Sequence, residues 1–317
     1  MATFTLKSSK GKFMTNSEFR SFPVTFVNGL RRVILSDLPT VVIRNIQIME
    51  NTTQMPHEML KHRMELLPVN AHHTDTAIIR EATIELRIMQ QPQDSTITTD
   101  DFVVQSGREH LLMKDRDLGT PLLFLRMRKG EQVHMKGQLA VEKGSQVCTA
   151  TMSYHVDPEI AELHKKKYVE DGGDPRVFDN FYIQKSYSRD EQGRPNWIDM
   201  SVESVGVLTS KEIMKLGVSE FKQQIDDWTA KALNSITNEK EENVYHVRLQ
   251  QGGHTVGAVL QELIYHSEDV SFVSYDIPHD MKNDMVIRFL TTKSPELILK
   301  NAQKKFHEYC DIVDKSI

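Results

Sequence analysis

Cysteine is scarce in this chain: Cys148 and Cys310 are the only two in 317 residues. Two thiols cannot build a disulfide framework or a cysteine-rich zinc site, so they read as ordinary reduced thiols of an intracellular protein. A basic excess is missing too. Lys and Arg number 39 against 44 Asp and Glu, a formal net charge of −5. Free-standing nucleic-acid binders carry the opposite imbalance, so any nucleic acid is expected to be held only indirectly, through partners. No run of about 18 uncharged apolar residues occurs, which predicts no membrane span. The first residues have no apolar core of signal-peptide length.

What is present is ordinary for a globular protein. Hydrophobic residues make up 39 % and charged residues 26 %, a balance that argues against disorder. The length predicts about two domains at roughly 150 residues each.

Hydrophobic periodicity outlines the elements. Phe26, Leu30 and Val33, with Val27 and Ile34 beside them, recur at helical spacing over 23–36, with Pro23 in the first turn. A β-branched run at 41–49 predicts a strand, and 56–67 predicts a second helix ending at Pro68. The period then changes to two. Ala82, Ile84, Leu86 and Ile88 alternate with polar residues, as do Val133, Met135, Leu139 and Val141. Turn-rich polar sequence at 90–101 and 172–175 separates such runs, so 71–195 is expected to be a mostly β domain. Ile198, Met200 and Val202 alternate again. The longest helix is expected at 210–236, where Met214, Val218, Phe221, Ile225, Trp228 and Ala232 step by four and three residues. That seam calls for a partner helix. A charged linker at 237–243 precedes a β-α-β-β-α unit: strand 245–249, helix 254–266, strands 270–277 and 285–291 joined by a polar turn at 278–283, and helix 295–312.

Motifs that could carry chemistry fail on spacing. His57 and His62 sit five positions apart in a predicted helix, about 140° around its axis, whereas a zinc-protease helix needs them at i and i+4. The stretch from Gly252 to Gly257 has phosphate-loop glycines, but Ala258 and Val259 follow where Lys and Ser or Thr are required. Gly253, Thr255 and Gly257 instead predict a tight strand-to-helix turn, with Thr255 near the cap. No Gly-x-Ser-x-Gly elbow occurs. Catalytic and metal-ligating residues are therefore expected to be none.

Five spaced motifs, in order, carry a resemblance. Asn28-Gly29-Leu30-Arg31-Arg32-Val33-Ile34-Leu35-Ser36-Asp37-Leu38-Pro39-Thr40 resembles the first helix of the α-type subunits of multisubunit DNA-directed RNA polymerases. His57-Glu58 with His62-Arg63-Met64-Glu65-Leu66-Leu67-Pro68 resembles the second. Arg128-Lys129-Gly130-Glu131 resembles the start of the family's inserted-domain core, and Val202-Glu203-Ser204-Val205-Gly206 its return into the dimerisation domain. The C-terminal unit is similar to the smaller, eleventh-subunit or archaeal L type. Gly253-His254-Thr255-Val256-Gly257, Val273-Ser274-Tyr275-Asp276-Ile277-Pro278-His279 and Thr291-Thr292 carry that likeness. Three departures stand out. The region of the family's zinc loop or iron–sulfur cluster holds one cysteine, Ala258 stands where Asn is frequent, and Glu65 replaces a usual Gly.

The resemblance implies an α+β fold in which an RPB3-like half (1–70 and 196–236, with 71–195 inserted) and an RPB11-like half (244–317) are fused through 237–243. The two would pair intramolecularly through their long helices, with no homodimer. Phe221, Ile225, Trp228, Ile298, Ala302 and Phe306 would form the seam. It further implies a non-catalytic assembly platform. Asn28, Leu30, Arg31, Arg32, Glu58, His62 and Arg63 would contact the two largest polymerase subunits, which hold the Mg²⁺, and a small RPB10-like subunit would also join. The chain itself would need no cofactor. Fused forms of this kind are known among large DNA viruses, which points to a virion and host-cytoplasm location, otherwise to the nucleus. The alternatives are a generic dimerisation adaptor reusing this fold and an enzyme built on the histidine-rich helix.

Overall fold

A hairpin opens the chain: β1 (Thr3–Lys10) pairs antiparallel with β2 (Met14–Arg20), Phe4 opposite Phe19. The computed structural model describes residues 2–105, 110–144, 147–239, 241–250, 252–278 and 284–317. Lys240 of the expected linker, and His279 with most of the expected 278–283 turn, lie outside these. After the hairpin come α1 (Val24–Ser36), β3 (Pro39–Asn51), α2 (His57–Glu65), α3 (Thr76–Glu81), β4 (Thr83–Ile88), β5 (Ser95–Thr98) and β6 (Val103–Gln105). Next follow β7 (Leu123–Met127), β8 (Val133–Lys143), β9 (Cys148–Tyr154), α4 (Pro158–Glu170), the single turn α5 (Pro175–Val177) and a π-helical turn at Phe178–Tyr182. The chain closes with β10 (Trp197–Ser204), α6 (Ser210–Leu233), β11 (Ile236–Asn238), β12 (Val244–Leu249), α7 (His254–Tyr265), β13 (Val270–Asp276), β14 (Met285–Thr291) and α8 (Pro295–Asp314). The protein is α+β with antiparallel sheets.

The chain divides into two compact units. One comprises Met1–Ile34, Ala150–Val202 and Met214–Ile317; the other comprises Leu35–Thr149 and Glu203–Ile213. In the first, one sheet has the order β1-β2-β10-β9 and another β11-β12-β14-β13. The second sheet is in register from Val244 opposite Leu290 to Leu249 opposite Met285. β10 alternates strictly, burying Ile198, Met200 and Val202. β14 does the same with Met285, Ile287 and Phe289. The polar faces between them satisfy the period-two rule for half-buried strands.

The second unit is the β-rich insertion. Its main sheet has the order β3-β8-β4-β6, with β5 and β7 forming a separate pair. β3 and β8 run antiparallel from Pro39 opposite Lys143 to Asn51 opposite Val133, with an irregularity between Arg44 and Gln47. Asn45 takes φ 53° there. Ile43, Leu60, Met64, Ile84, Leu86, Phe124 and Met135 share its core. Val141, expected on the apolar face of β8, is exposed instead.

Three features differ from the periodicity. The segment after β9, expected within a β domain, is helical through α4. Asp157 caps that helix by accepting from the Glu159 and Ile160 amides, and Pro158 occupies its first turn. α6 stops at Leu233, short of the expected residue 236, and Ile236–Asn238, which spans the end of the expected helix and the start of the expected linker, pairs with β12. The insertion as a unit begins at Leu35, ahead of the expected residue 71. The reason is local: β3 and α2 give their apolar faces to the core of the β-rich sheet.

Candidate functional site

α6 begins with a capping box. Thr209 donates its amide and hydroxyl to Glu212 Oε2, each at 2.8 Å, and the Glu212 amide returns to Thr209 Oγ1 at 3.2 Å. Those donors, the Thr209 backbone amide first, hold the Glu212 carboxyl below its ordinary value. Along the helix Met214, Val218, Phe221, Ile225, Trp228 and Ala232 are all buried. α8, in the second half, answers with buried Ile298, Leu299, Ala302, Phe306, Cys310 and Val313.

The two helices meet through aromatic rings. Phe221 and Phe306 lie edge to face at 4.8 Å between centroids, and Phe26 of α1 stands 5.4 Å from Phe306 and 6.0 Å from Phe221. α1 can come this close because residue 29 is glycine: a Cβ there would lie 2.5 Å from Phe221 Cζ. Tyr309 extends the cluster, 5.2 Å from Phe22 and 5.6 Å from Phe26. Burial pushes its phenol above the ordinary value, although Lys305 acts against this.

Polar pairs flank the rings. Asp226 Oδ1 accepts from Gln303 Nε2 at 2.7 Å and meets His307 Nε2 at 2.6 Å. Lys222 Nζ donates to Asp311 Oδ1 at 3.2 Å. The Thr25 hydroxyl donates to Glu262 of α7. Every seam residue expected from the sequence is buried, and Trp228 buries its indole N–H without an acceptor.

The residues expected to contact large subunits fall in both units. On α1, Asn28 Oδ1 accepts from Arg31 Nε at 3.1 Å and from an Arg31 terminal nitrogen at 3.0 Å. The exposed Arg32 donates through Nε to Thr255 Oγ1 at 2.9 Å. Leu30 must be corrected: it is 0 % exposed, because its side chain turns into the packing beneath α1. On α2, Glu58 and His62 are exposed, and Arg63 donates to the Phe124 carbonyl of β7 at 2.8 Å. Met59, which the sequence reading passed over, leaves α2 half exposed.

Glu65 has a specific partner. Arg44 lies 2.7 Å from its carboxylate and also pairs with Glu142, so one guanidinium bridges two carboxylates. Those partners, Glu142 first, raise the Arg44 pKa.

At the glycine-rich turn, Gly253 is the N-cap of α7, with no side chain capping it. Thr255 is therefore not the cap; its hydroxyl is engaged by Arg32. Gly257 is required by close packing, since a Cβ would lie 2.6 Å from the Tyr275 ring and 2.9 Å from Met285 Sδ.

Among the described residues one group has metal-ligand chemistry: Glu18, His155 and Asp199, with donor atoms within 4.8 Å of one another. These residues are dispersed along the sequence, so spacing gives no sign of the group. It is already charge-compensated. Glu18 is ion-paired with Lys7 and lies 3.5 Å from Arg20, and His155 Nδ1 meets Asp199 at 2.7 Å. Burial raises the Glu18 carboxyl, but the neighbouring cations, Lys7 foremost, outweigh it and leave the pKa lowered. The Trp197 ring has the Arg20 guanidinium 3.6 Å from its centroid and stacks on the His155 ring at 3.8 Å. Both cysteines are buried, which pushes Cys148 up to about 11 and Cys310 up to about 12. No helix among the described residues is long and apolar enough to cross a membrane.

The geometry defines a class: a pairing module in which two α+β halves of one chain are joined through long helices. A family model of the RNA polymerase Rpb3/Rpb11 dimerisation domain matches residues 17–225, and a second of the same description matches 245–316. The chain belongs to the RNA polymerase Rpb3/Rpb11 dimerisation-domain family, with a second such domain fused to the first. It is 24 % identical over 257 residues to DNA-directed RNA polymerase II subunit RPB3 of Schizosaccharomyces pombe, covering 69 % of this chain and 82 % of that one. It is 23 % identical over 274 residues to a conjugation stage-specific protein of Tetrahymena thermophila, covering 64 % and 86 %. To the Rpo3 subunit of Pyrobaculum calidifontis it is 31 % identical over 105 residues, 31 % and 40 % of the two chains. These relatives come from cellular organisms and lend no support to the viral location expected from the fusion.

Proposed function

We propose that the chain is the non-catalytic assembly platform of a DNA-dependent RNA polymerase, on which the two largest subunits are joined. The observation that carries this reading is the presence of both family domains in one polypeptide, with α6 and α8 locked by the Phe221–Phe306 contact. Fusion makes the pairing intramolecular, at an effective concentration on the order of mM for a short linker. It fixes a one-to-one ratio of halves and disfavours homodimers. An obligate pairing of this kind typically buries more than ~2,000 Å².

In this reading Asn28, Arg31 and Arg32 on α1 meet one large partner chain. Glu58, His62 and Arg63 on α2 serve the same role for the β-rich unit. A small RPB10-like subunit completes the assembly. The large subunits supply Mg²⁺ and nucleotidyl transfer, and DNA and RNA are reached only through the complex. The polymerase is intracellular.

The test is the double variant Arg31→Glu, Arg32→Glu. It should stay folded, because neither side chain is buried, yet fail to co-purify a large subunit. Undiminished recovery of both large chains would remove the α1 arginines from the contact.

A further inference from the structure

A cavity of about 660 Å³ lies within the compact unit that holds the seam. The start of α1, the loop before β10, the end of α7 and the middle of α8 each give it a wall, so both halves of the chain contribute. Phe22, Pro23, Leu263 and Ala302 supply apolar surface, and Tyr309 adds a half-buried ring. The volume falls in the range of sites that hold a ligand, roughly 300–1,000 Å³. A second cavity of about 550 Å³ shares Ser21, Lys305 and Tyr309 with the first and continues along α8 to Ile312 and Lys315. Together they form a groove, a shape that suits an extended occupant.

Charge decides what the groove takes. Arg194 Nε donates to Asp190 Oδ2 at 3.2 Å, and a terminal nitrogen donates to His266 Nε2 at 2.7 Å. An arginine only donates, so His266 carries its proton on Nδ1, which donates to the Glu262 carbonyl at 2.7 Å. Lys305 Nζ donates to Glu308 at 2.9 Å. In the second cavity Asp311 is held by Lys222 at 3.2 Å, and Lys315 is exposed to solvent. The Glu262 side chain differs. One of its oxygens accepts from the Thr25 hydroxyl; the other has no partner, and no cation lies within ion-pair distance among the described residues. The residue is half-buried. Its charge is felt in the cavity: burial first raises the Tyr309 phenol, Lys305 acts against this, and Glu262 adds to it. A half-buried carboxylate without a counter-charge has given up solvation that a bound cation would replace.

We infer that this groove binds an arginine side chain from an extended segment of a protein partner, with its guanidinium on Glu262 and its methylene stem beside the rings of Phe22 and Tyr309. This rests on the assembly reading for the partner, though not for the guanidinium. One carboxylate without a counter-charge matches one cation. A guanidinium is weakly hydrated, pairs with a carboxylate through two donors and lies against aromatic rings, which an ammonium does less well. The chain's formal charge of −5 favours a basic partner segment over an acidic one.

The first experiment uses the full chain alone, with its eight tyrosines ¹³C-labelled and the Tyr309 ring signal assigned by Tyr309→Phe. N-acetylarginine methylamide is titrated against N-acetylcitrulline methylamide, its neutral isostere. The expected result is a saturable displacement of the Tyr309 signal by the arginine compound, with binding about ten-fold weaker for citrulline and in Glu262→Gln. A glutamine oxygen still accepts from Thr25, so that variant keeps the local packing. Lys305→Gln should bind the arginine compound more tightly, because a like charge is gone and Glu308 is released. Equal binding of the two compounds, or a response unchanged in Glu262→Gln, would overturn the site.

The second experiment places a photo-reactive side chain at position 301 in the assembled complex. Asn301 is exposed and lines the first cavity. Cross-linking to a partner segment mapped to an arginine and its neighbours supports the proposed source. Cross-linking to a segment without arginine, or none while the large chains co-purify, overturns it. The titration uses no partner, so its result and the fate of the assembly reading are read separately.

Discussion

Replacing Phe221 and Phe306 by alanine, singly and together, measures the pairing of the halves within the intact chain. Both rings are 0 % exposed and meet at 4.8 Å edge to face, one on α6 and one on α8. Truncating a buried phenylalanine costs about 3–5 kcal/mol through lost transfer energy and the cavity left behind. An edge-to-face pair adds about 0.5–1.5 kcal/mol beyond area burial. The double variant should therefore lose about 0.5–1.5 kcal/mol less than the sum of the singles, because the second truncation removes a contact already lost. Urea unfolding followed by tryptophan fluorescence is a suitable assay, since Trp197 and Trp228 both belong to the unit that contains the seam. Leucine variants give the same cycle if the double alanine variant does not fold. Losses that add to within about 0.3–0.5 kcal/mol would refute a shared interface.

Trp228→Asp should abolish the cooperative pairing of α6 and α8, because an unpaired carboxylate at a site 2 % exposed costs several kcal/mol; a variant that still assembles would count against the seam. Thr209→Ala should cost about 0.5–2 kcal/mol at neutral pH. The Glu212 carboxyl lies below its ordinary value in the folded chain, so its contribution is present above the unfolded pKa and lost as pH falls through the folded one. The gap between wild type and Thr209→Ala should therefore narrow at acid pH, and a constant gap in urea midpoints would refute the capping argument. Cys148 and Cys310, buried and raised to about 11 and about 12, should not react with a thiol reagent at pH 8 until the chain is unfolded. Rapid native labelling of either would contradict the packing around it.

The helices around the seam were legible because their signals are local. Phe221, Ile225 and Trp228 repeat at four and three residues, and α7 and α8 bury one continuous stripe each. The strands β10 and β14 alternate without a break. Where periodicity failed, a distant partner decided. β1, with Thr, Ser and Lys at most positions, shows little alternation and is organised by pairing with β2. Ile236 reads as the end of a helix, and Thr237 with Asn238 as a linker, until β12 captures all three. α4 carried a readable start, Asp157 followed by Pro158, inside a region whose neighbours read as strands. Leu30 shows the limit of a motif for sites: the family resemblance placed it at a partner contact, whereas its helical spacing with Phe26 and Val33 already marked the inward face on which it is buried. Glu65, a departure from the family pattern, is explained by Arg44 and Glu142, which no spacing rule connects to it.

The most direct test of the assembly account is a native affinity purification of the tagged full chain from its natural setting, with bound proteins identified by mass spectrometry. The account predicts two very large chains in equal amounts, in a fraction that extends RNA on a DNA template. Recovery of this chain alone, from a lysate whose polymerase is intact, would contradict it and leave a dimerisation adaptor that has reused the fold.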